Sequence, residues 1–162
     1  MIQTVQSIFL LVLGVCMILS IIFPSWQKAG NQVGEIVTLN AVSLEHVQDG
    51  TVANSTPTFY IAILAVASAL VAFYSLSQFK NRLTQIKLGA LNSLLMAGVL
   101  GIILYFSRQG EEMLPQTNQT AAGFENYELG FFLVIIAMVC NILANRFIRR
   151  DENLVRSADR MR

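Results

Sequence analysis

The fold is decided by residues 58–79, which read TFYIAILAVASALVAFYSLSQF and contain no charged residue. An α-helix rises about 1.5 Å per residue, so about 20 apolar residues cross the roughly 30 Å of hydrocarbon in a bilayer. A transmembrane strand would alternate polar with apolar residues, and this stretch does not. Residues 58–79 therefore predict a membrane-spanning helix.

Three further apolar runs lie at residues 5–23, 88–106 and 129–147. They contain no acidic or basic residue apart from Arg146, in the last turn of the fourth run. Only 13% of the 162 residues are charged, against about 25% in soluble domains, so much of the surface must face lipid. The sequence predicts an all-α membrane protein with one domain, residues 1–162, built as an antiparallel bundle of four transmembrane helices.

A signal peptide is the alternative interpretation of residues 5–23. This segment lacks a preceding basic region, and no small-residue cleavage site follows it. We therefore expect a retained first helix, with Trp26 anchoring its end at the membrane interface.

Basic residues are concentrated at one end of the predicted bundle. Nine of the eleven lie in the 80–87 connection or from residue 146 onward: Lys80, Arg82, Lys87, Arg146, Arg149, Arg150, Arg156, Arg160 and Arg162. The two long connections, 24–57 and 107–128, hold only two basic residues but seven of the ten acidic ones. Because cytoplasmic loops are enriched in Lys and Arg, we expect both chain ends in the cytoplasm and the two long connections outside.

The first long connection contains signals for β-structure. Residues 35–40 are rich in β-branched side chains and alternate in polarity, which favours a short strand, and residues 48–51 are typical of a turn. We expect a small hairpin or sheet on the outer side, joined by a strand near residues 124–129.

Small residues predict where the helices approach each other. The third run carries them four positions apart, at Gly89, Ser93, Ala97 and Gly101. The second run offers a similar face at Ala65, Ser68, Ala69 and Ala72. Small residues let helix backbones approach closely in a membrane, so we expect both faces at contacts within the bundle. Dimerisation through the stripe of the third run is the alternative.

Two asparagines, Asn92 and Asn141, lie within the apolar runs. At 1.5 Å per residue they sit about 6 Å and about 9 Å from the cytoplasmic ends of their runs, close enough in depth to pair. We interpret them as an intramembrane polar clamp. The alternative is a polar lining for a ligand cavity.

The residues offer little for catalysis or metal binding. His46 is the only histidine, and we expect it to be a solvated residue of the outer connection. Cys16 and Cys140 lie in apolar runs without a partner at metal-ligand spacing, which favours buried or lipid-facing apolar roles. We find no phosphate loop and no nucleophile motif, so we predict no enzyme activity, no metal and no cofactor. A net charge of +1 also argues against nucleic-acid binding.

The cytoplasmic tail, residues 148–162, is expected to continue the fourth helix. Glu152 and Arg156 form a favourable i, i+4 pair. We expect contacts with anionic headgroups or with a protein partner through the basic residues of this side: Lys80, Arg82, Lys87, Arg149, Arg150, Arg156 and Arg160. A topology anchor and a docking helix both fit this pattern.

Three segments resemble a known family. They are residues 1–8, MIQTVQSI, residues 82–92, RLTQIKLGALN, and residues 143–162, LANRFIRRDENLVRSADRMR. They are similar to the corresponding parts of a bacterial four-helix membrane-protein family, domain of unknown function 4293. Where that family usually has a basic residue near the start, this chain has Thr4. The resemblance implies a bacterial inner membrane but no activity, and it carries over no catalytic residue.

These observations favour an integral inner-membrane protein that acts as a non-enzymatic structural or interaction subunit and contacts a protein partner through its outer loops or its basic C-terminal tail. The loop pattern, with a long strand-bearing first outer loop, is also similar to the claudin type, although fold alone does not fix function. The alternative is a binder or carrier of a lipid or quinone-type molecule, held within the bundle near Asn92 and Asn141. An enzyme is the third hypothesis.

Overall fold

The structure, a computed structural model, describes residues 2–30, 34–78, 81–114 and 124–160. These residues form four long helices: α1 (Ile2–Ile22), α2 (Phe59–Ser77), α3 (Arg82–Glu112) and α4 (Leu129–Arg160). Each is long and apolar enough to cross a membrane, which confirms the prediction of four such helices. The helices α3 and α4 extend beyond their apolar runs. The hydrophobicity of a segment indicates how much of a helix lipid can cover, but not where the helix ends. A helix continues until a residue such as proline interrupts its backbone hydrogen bonds, and neither α3 nor α4 contains proline.

The four helices form a closed ring in which each packs on two neighbours. Helices α1 and α3 each pack against both α2 and α4. The ring of Phe9 in α1 stacks on that of Phe147 in α4, with 5.9 Å between centroids, so the two helices run antiparallel. We call the end of the bundle where α1 begins and α4 extends to Arg160 the tail end. The opposite end is the sheet end.

The sheet end carries a four-stranded antiparallel sheet in the order β1 (Trp26–Ala29), β2 (Ile36–Leu39), β3 (Ser43–Gln48) and β4 (Thr51–Pro57). The predicted strand at residues 35–40 is β2, and the predicted turn at 48–51 joins β3 to β4. Its two central residues, Asp49 and Gly50, have φ angles of 50° and 77°, as a two-residue type I′ hairpin requires. The sequence signals for β-structure in this connection were therefore correct.

The strand expected near residues 124–129 is not formed. A short 3₁₀ helix, Phe124–Asn126, takes its place, and a single antiparallel bridge joins Tyr127 to Trp26. The helix α4 begins at Leu129, only two residues after that bridge. The chain therefore has no length left in which to extend a strand along β1.

Trp26 lies in the core, where its side chain is shielded from the surroundings of the protein. It is only 1% exposed, and its ring lies against Gly110 of α3, where an added Cβ would come within 2.8 Å of the indole. Trp26 opens β1 instead of ending α1, and the sheet-end turns of α3 pack against β1, β2 and β3. The interpretation of Trp26 as an interfacial anchor was therefore wrong.

Two junctions fasten the sheet to the other helices. The backbone N–H of Thr58, before α2, donates to the carbonyl of Val42 at 2.8 Å. The N–H of Gly130, in the first turn of α4, donates to the carbonyl of Pro24 at 2.9 Å. The sheet is thus attached to α2, α3 and α4 at separate points.

The small-residue stripe of α3 lies only partly at a helix contact. Gly89 packs against Asn145 of α4, but Ala97 and Gly101 are exposed, and nothing lies within 4 Å of a Cβ added at Gly101. With 3.6 residues per turn, a spacing of four rotates by about 40° at each step and leaves the buried face. On α2, Ala65, Ser68, Ala69 and Ala72 are all buried, as predicted.

Candidate functional site

The strand β4 is a free edge of the sheet. It pairs with β3 on one side, and no other strand in the described part of the chain pairs with its second side. Its first five residues are exposed, and residues 51–57, TVANSTP, carry no charge. Native proteins usually protect an edge strand with charges, a bulge or a covering element. Among the residues that the structure describes, the protection is limited to Pro57 at the strand end and an irregularity in the pairing near His46.

A buried carboxylate lies at the start of β2. The Glu35 side chain is 1% exposed, and its Oε1 lies 3.0 Å from His46 Nε2 and 3.3 Å from Gln48 Nε2. His46 is itself buried in β3, so the expectation of a solvated histidine was wrong. The sequence did contain a signal for this burial. His46 lies two residues after Leu44, so the two side chains point to the same, buried face of β3. The cluster joins the start of β2 to β3 and fixes their register.

A second polar contact joins the sheet to α3 nearer the surface. Lys28 Nζ in β1 lies 3.3 Å from Glu111 Oε1, and both side chains remain about one quarter exposed. At that exposure the pair contributes little free energy of folding, about 1 kcal/mol or less. It orients the sheet more than it stabilises it.

The two asparagines form separate contacts with neighbouring helices. Asn92 Oδ1 accepts a hydrogen bond from Ser68 Oγ of α2 at 2.5 Å. Asn141 Nδ2 donates to the carbonyl of Gly89 at 2.9 Å and to Ser93 Oγ at 2.7 Å. Residues 89 and 93 of α3 face α4, whereas residue 92 faces α2, so each asparagine clamps a different helix pair. The predicted Asn92–Asn141 pairing is thus replaced by three hydrogen bonds to other partners.

Further buried polar side chains that the sequence interpretation missed lie toward the tail end. Gln85 Nε2 donates to the backbone carbonyl of Ser75 at 3.0 Å, and Gln6 of α1 is also buried. The spacing of these residues in the sequence would have indicated that they are buried. Gln6 precedes the buried Leu10 by four residues, and Gln85 lies four before Gly89, so both follow the 3.6-residue period of the interior face.

The predicted basic contact residues are placed as follows. Lys87, Arg149 and Arg150 are exposed at the tail end. Arg82 begins α3, while Arg156 and Arg160 belong to the last turns of α4, which confirms that the fourth helix continues into the tail. The side chains of these three arginines, and the whole of Lys80, lie outside the described residues.

The described ranges contain no group of three His, Cys, Asp or Glu side chains that could hold a metal ion. Cys16 and Cys140 are both buried free thiols in the apolar core. They occupy equivalent positions across the α1–α4 contact, one heptad from the Phe9–Phe147 stack.

Comparison with known proteins adds a family but no activity. No curated protein matches the sequence. A family model described as a domain of unknown function (DUF4293) matches residues 2–161, nearly the whole chain. The resemblance seen in the first, middle and last segments of the sequence therefore extends over the entire fold. The chain belongs to the DUF4293 family.

Proposed function

We propose that this protein is a multi-pass protein of a bacterial inner membrane that acts as a non-enzymatic interaction subunit. Its sheet lies outside the membrane and offers the free edge of β4 to an extended segment of a partner protein. Both chain ends lie in the cytoplasm. The free, uncharged edge of β4 is the observation that carries the proposal.

The surface of the bundle supports the membrane location. Large apolar side chains are exposed around all four helices, for example Ile8, Leu70, Leu94 and Ile142. Contiguous apolar surface of this extent is unusual on a soluble protein and is what lipid would cover. The excess of basic residues at the tail end supports a cytoplasmic tail. There, the exposed Lys87, Arg149 and Arg150 would meet anionic headgroups.

Strand addition explains how β4 would bind. An extended segment pairs its backbone with the open N–H and C=O groups of an edge, while alternate side chains give specificity. The sheet is attached to three helices, so the edge is held in place before binding and little ordering free energy is lost. The absence of charge on residues 51–57 leaves nothing to repel an approaching strand.

Two matched valines test this surface in living cells. Val52 in β4 and Val42 in the β2–β3 turn are similarly exposed, at 59% and 57%. A photo-crosslinking benzophenone residue placed at position 52 should give a discrete protein adduct, whereas the same residue at position 42 should not. Asn54→Lys should reduce the position-52 adduct, because a charge on the edge opposes strand addition. Equal adducts at both positions, or none at position 52, would refute the proposal.

The alternative of a lipid or quinone-type ligand near Asn92 and Asn141 receives no support from the burial of these residues. Both are at most 1% exposed and are enclosed by bonds between helices. An elongated ligand would have to separate α3 from its neighbours to reach them. The alternative remains a prediction.

A further inference from the structure

The interior of the bundle is mainly apolar toward the sheet end, whereas toward the tail end apolar side chains such as Leu10 and Ile148 are mixed with polar ones. Large apolar side chains fill the sheet half: Met17, Ile61, Val99, Ile103, Phe131 and Val134. The buried serines of its helices, Ser20 and Ser107, donate to carbonyls of their own helices, whereas Ser25 Oγ, next to the sheet, has no partner among the described residues. Buried amides and two hydroxyls occupy the tail half: Gln6, Ser68, Ser75, Gln85, Asn92 and Asn141.

Three hydrogen-bonding atoms of the tail half have no partner among the described residues. They are Gln6 Nε2, Ser75 Oγ and Asn141 Oδ1, and their side chains are at least nine-tenths buried. An unsatisfied polar group in a membrane interior costs several kcal/mol, so such atoms normally have a partner. Gln6 Nε2 is a donor, Asn141 Oδ1 is an acceptor, and the Ser75 hydroxyl can be both.

The orientation of the Asn141 amide is fixed by its hydrogen bonds, so turning the amide over does not give its oxygen a partner. Its Nδ2 donates to Gly89 O and Ser93 Oγ. Exchanging the amide oxygen and nitrogen would place the oxygen against the Gly89 carbonyl, which only accepts hydrogen bonds. Asn141 Oδ1 therefore needs a donor from outside the described side chains.

We propose that water molecules occupy the tail half of the bundle interior and bond these three groups, while the apolar layer around Ala65 and Ala137 stays dry. The occupant must be small, because Asn141 is fully buried. It must be neutral, because none of the six buried polar side chains of this half is ionisable and an ion would lack a countercharge. It must both donate and accept, as water does with two to four partners.

Heptad-related alanines allow a matched test in lipid nanodiscs, where both membrane faces are open to reagent. Ala137 and Ala144 are both fully buried on the same face of α4, with Ala144 about 10 Å nearer the tail end. Ala65 and Ala72 form the same kind of pair on α2. Each is changed singly to cysteine in a background carrying Cys16→Ala and Cys140→Ala. Ile142→Cys, which is exposed on the outer surface of α4, controls for depth.

Reaction with methyl methanethiosulfonate, a small uncharged reagent, reports water at each position, since only a hydrated thiol forms the reactive thiolate. Ala144→Cys and Ala72→Cys should react roughly tenfold faster or more than Ala137→Cys and Ala65→Cys, respectively. The reaction rate of Ala144→Cys should also exceed that of Ile142→Cys. Reaction rates are compared only among variants whose melting temperature equals that of the parent. The helices α2 and α4 each provide an independent pair of positions. Equal rates within a pair, or an Ala144→Cys rate no higher than that of Ile142→Cys, would overturn the proposal.

Discussion

Gly130→Ala is expected to lower the melting temperature of the protein more than any other alanine substitution of a helical glycine. A Cβ at this position would lie 2.5 Å from the carbonyl oxygen of Phe23 and 2.7 Å from that of Pro24. Both are backbone atoms, so no side chain can rotate away, and the bond from Gly130 N–H to Pro24 would be strained. We expect a loss of about 3 kcal/mol, or roughly 6–12 °C in a thermal melt in mild detergent.

Gly101→Ala is the matched control for that substitution. Gly101 lies in the middle of α3, is exposed, and has nothing within 4 Å of an added Cβ. Alanine is the better helix former by about 1 kcal/mol, so the melting temperature should stay the same or rise. If Gly130→Ala melted with the parent, the close approach of α4 to the α1–β1 segment would be disproved.

The second large effect is expected at Glu35. Glu35→Ala leaves His46 and Gln48 without the carboxylate that they share at the start of β2. Leaving a buried hydrogen-bond donor unsatisfied typically costs about 1–3 kcal/mol, and here both His46 and Gln48 lose the same partner. Because the loss falls on the β2–β3 contact, limited proteolysis should cut the 24–57 connection faster, alongside a lower melting temperature.

Glu45→Ala separates this effect from a general loss of acidic charge. Glu45 lies next to His46 on β3 and is half-buried, and its carboxylate accepts a bond from Ser43. Its removal should cost about 1 kcal/mol. His46→Ala added to Glu35→Ala should cost much less than His46→Ala alone, because the two side chains act as a pair. Additive losses would mean that the pair does not form.

The helices and the β-signals were predictable because each depends on a local pattern. Residues 58–79 are too long and too apolar for a soluble helix, and the Asp49–Gly50 turn follows from two residues that tolerate a positive φ. The extent of α3 was not predictable from hydrophobicity. Its last turns, beyond residue 106, are polar in sequence but support the sheet through Gly110.

The errors concern residues whose surroundings are set by distant parts of the chain. Trp26 follows an apolar helix as an interfacial anchor would, yet contact with Gly110, 84 positions away, buries it. The burial of His46 depends on Glu35 across two strands. The partners of Asn92 and Asn141 depend on the rotation of α3, because positions 89 and 92 face different helices.

The attachments of the sheet connect these residues to the proposed function. Trp26 against Gly110, Gly130 against Pro24, and the Glu35 cluster each hold one part of the sheet. Together they fix the free edge of β4 relative to the bundle. Substitutions at Gly130 or Glu35 should therefore also reduce partner crosslinking at position 52, even though neither residue lies on that edge.

Cysteine labelling in intact cells is the most direct test of the central claim that β4 and the tail lie on opposite sides of a membrane. In the background without Cys16 and Cys140, Val52→Cys marks β4 and Lys87→Cys marks the tail end, and both positions are exposed. A membrane-impermeant maleimide should label Val52→Cys in spheroplasts, and Lys87→Cys only after permeabilisation. Labelling of both cysteines in intact spheroplasts, or of Lys87→Cys alone, would contradict the account.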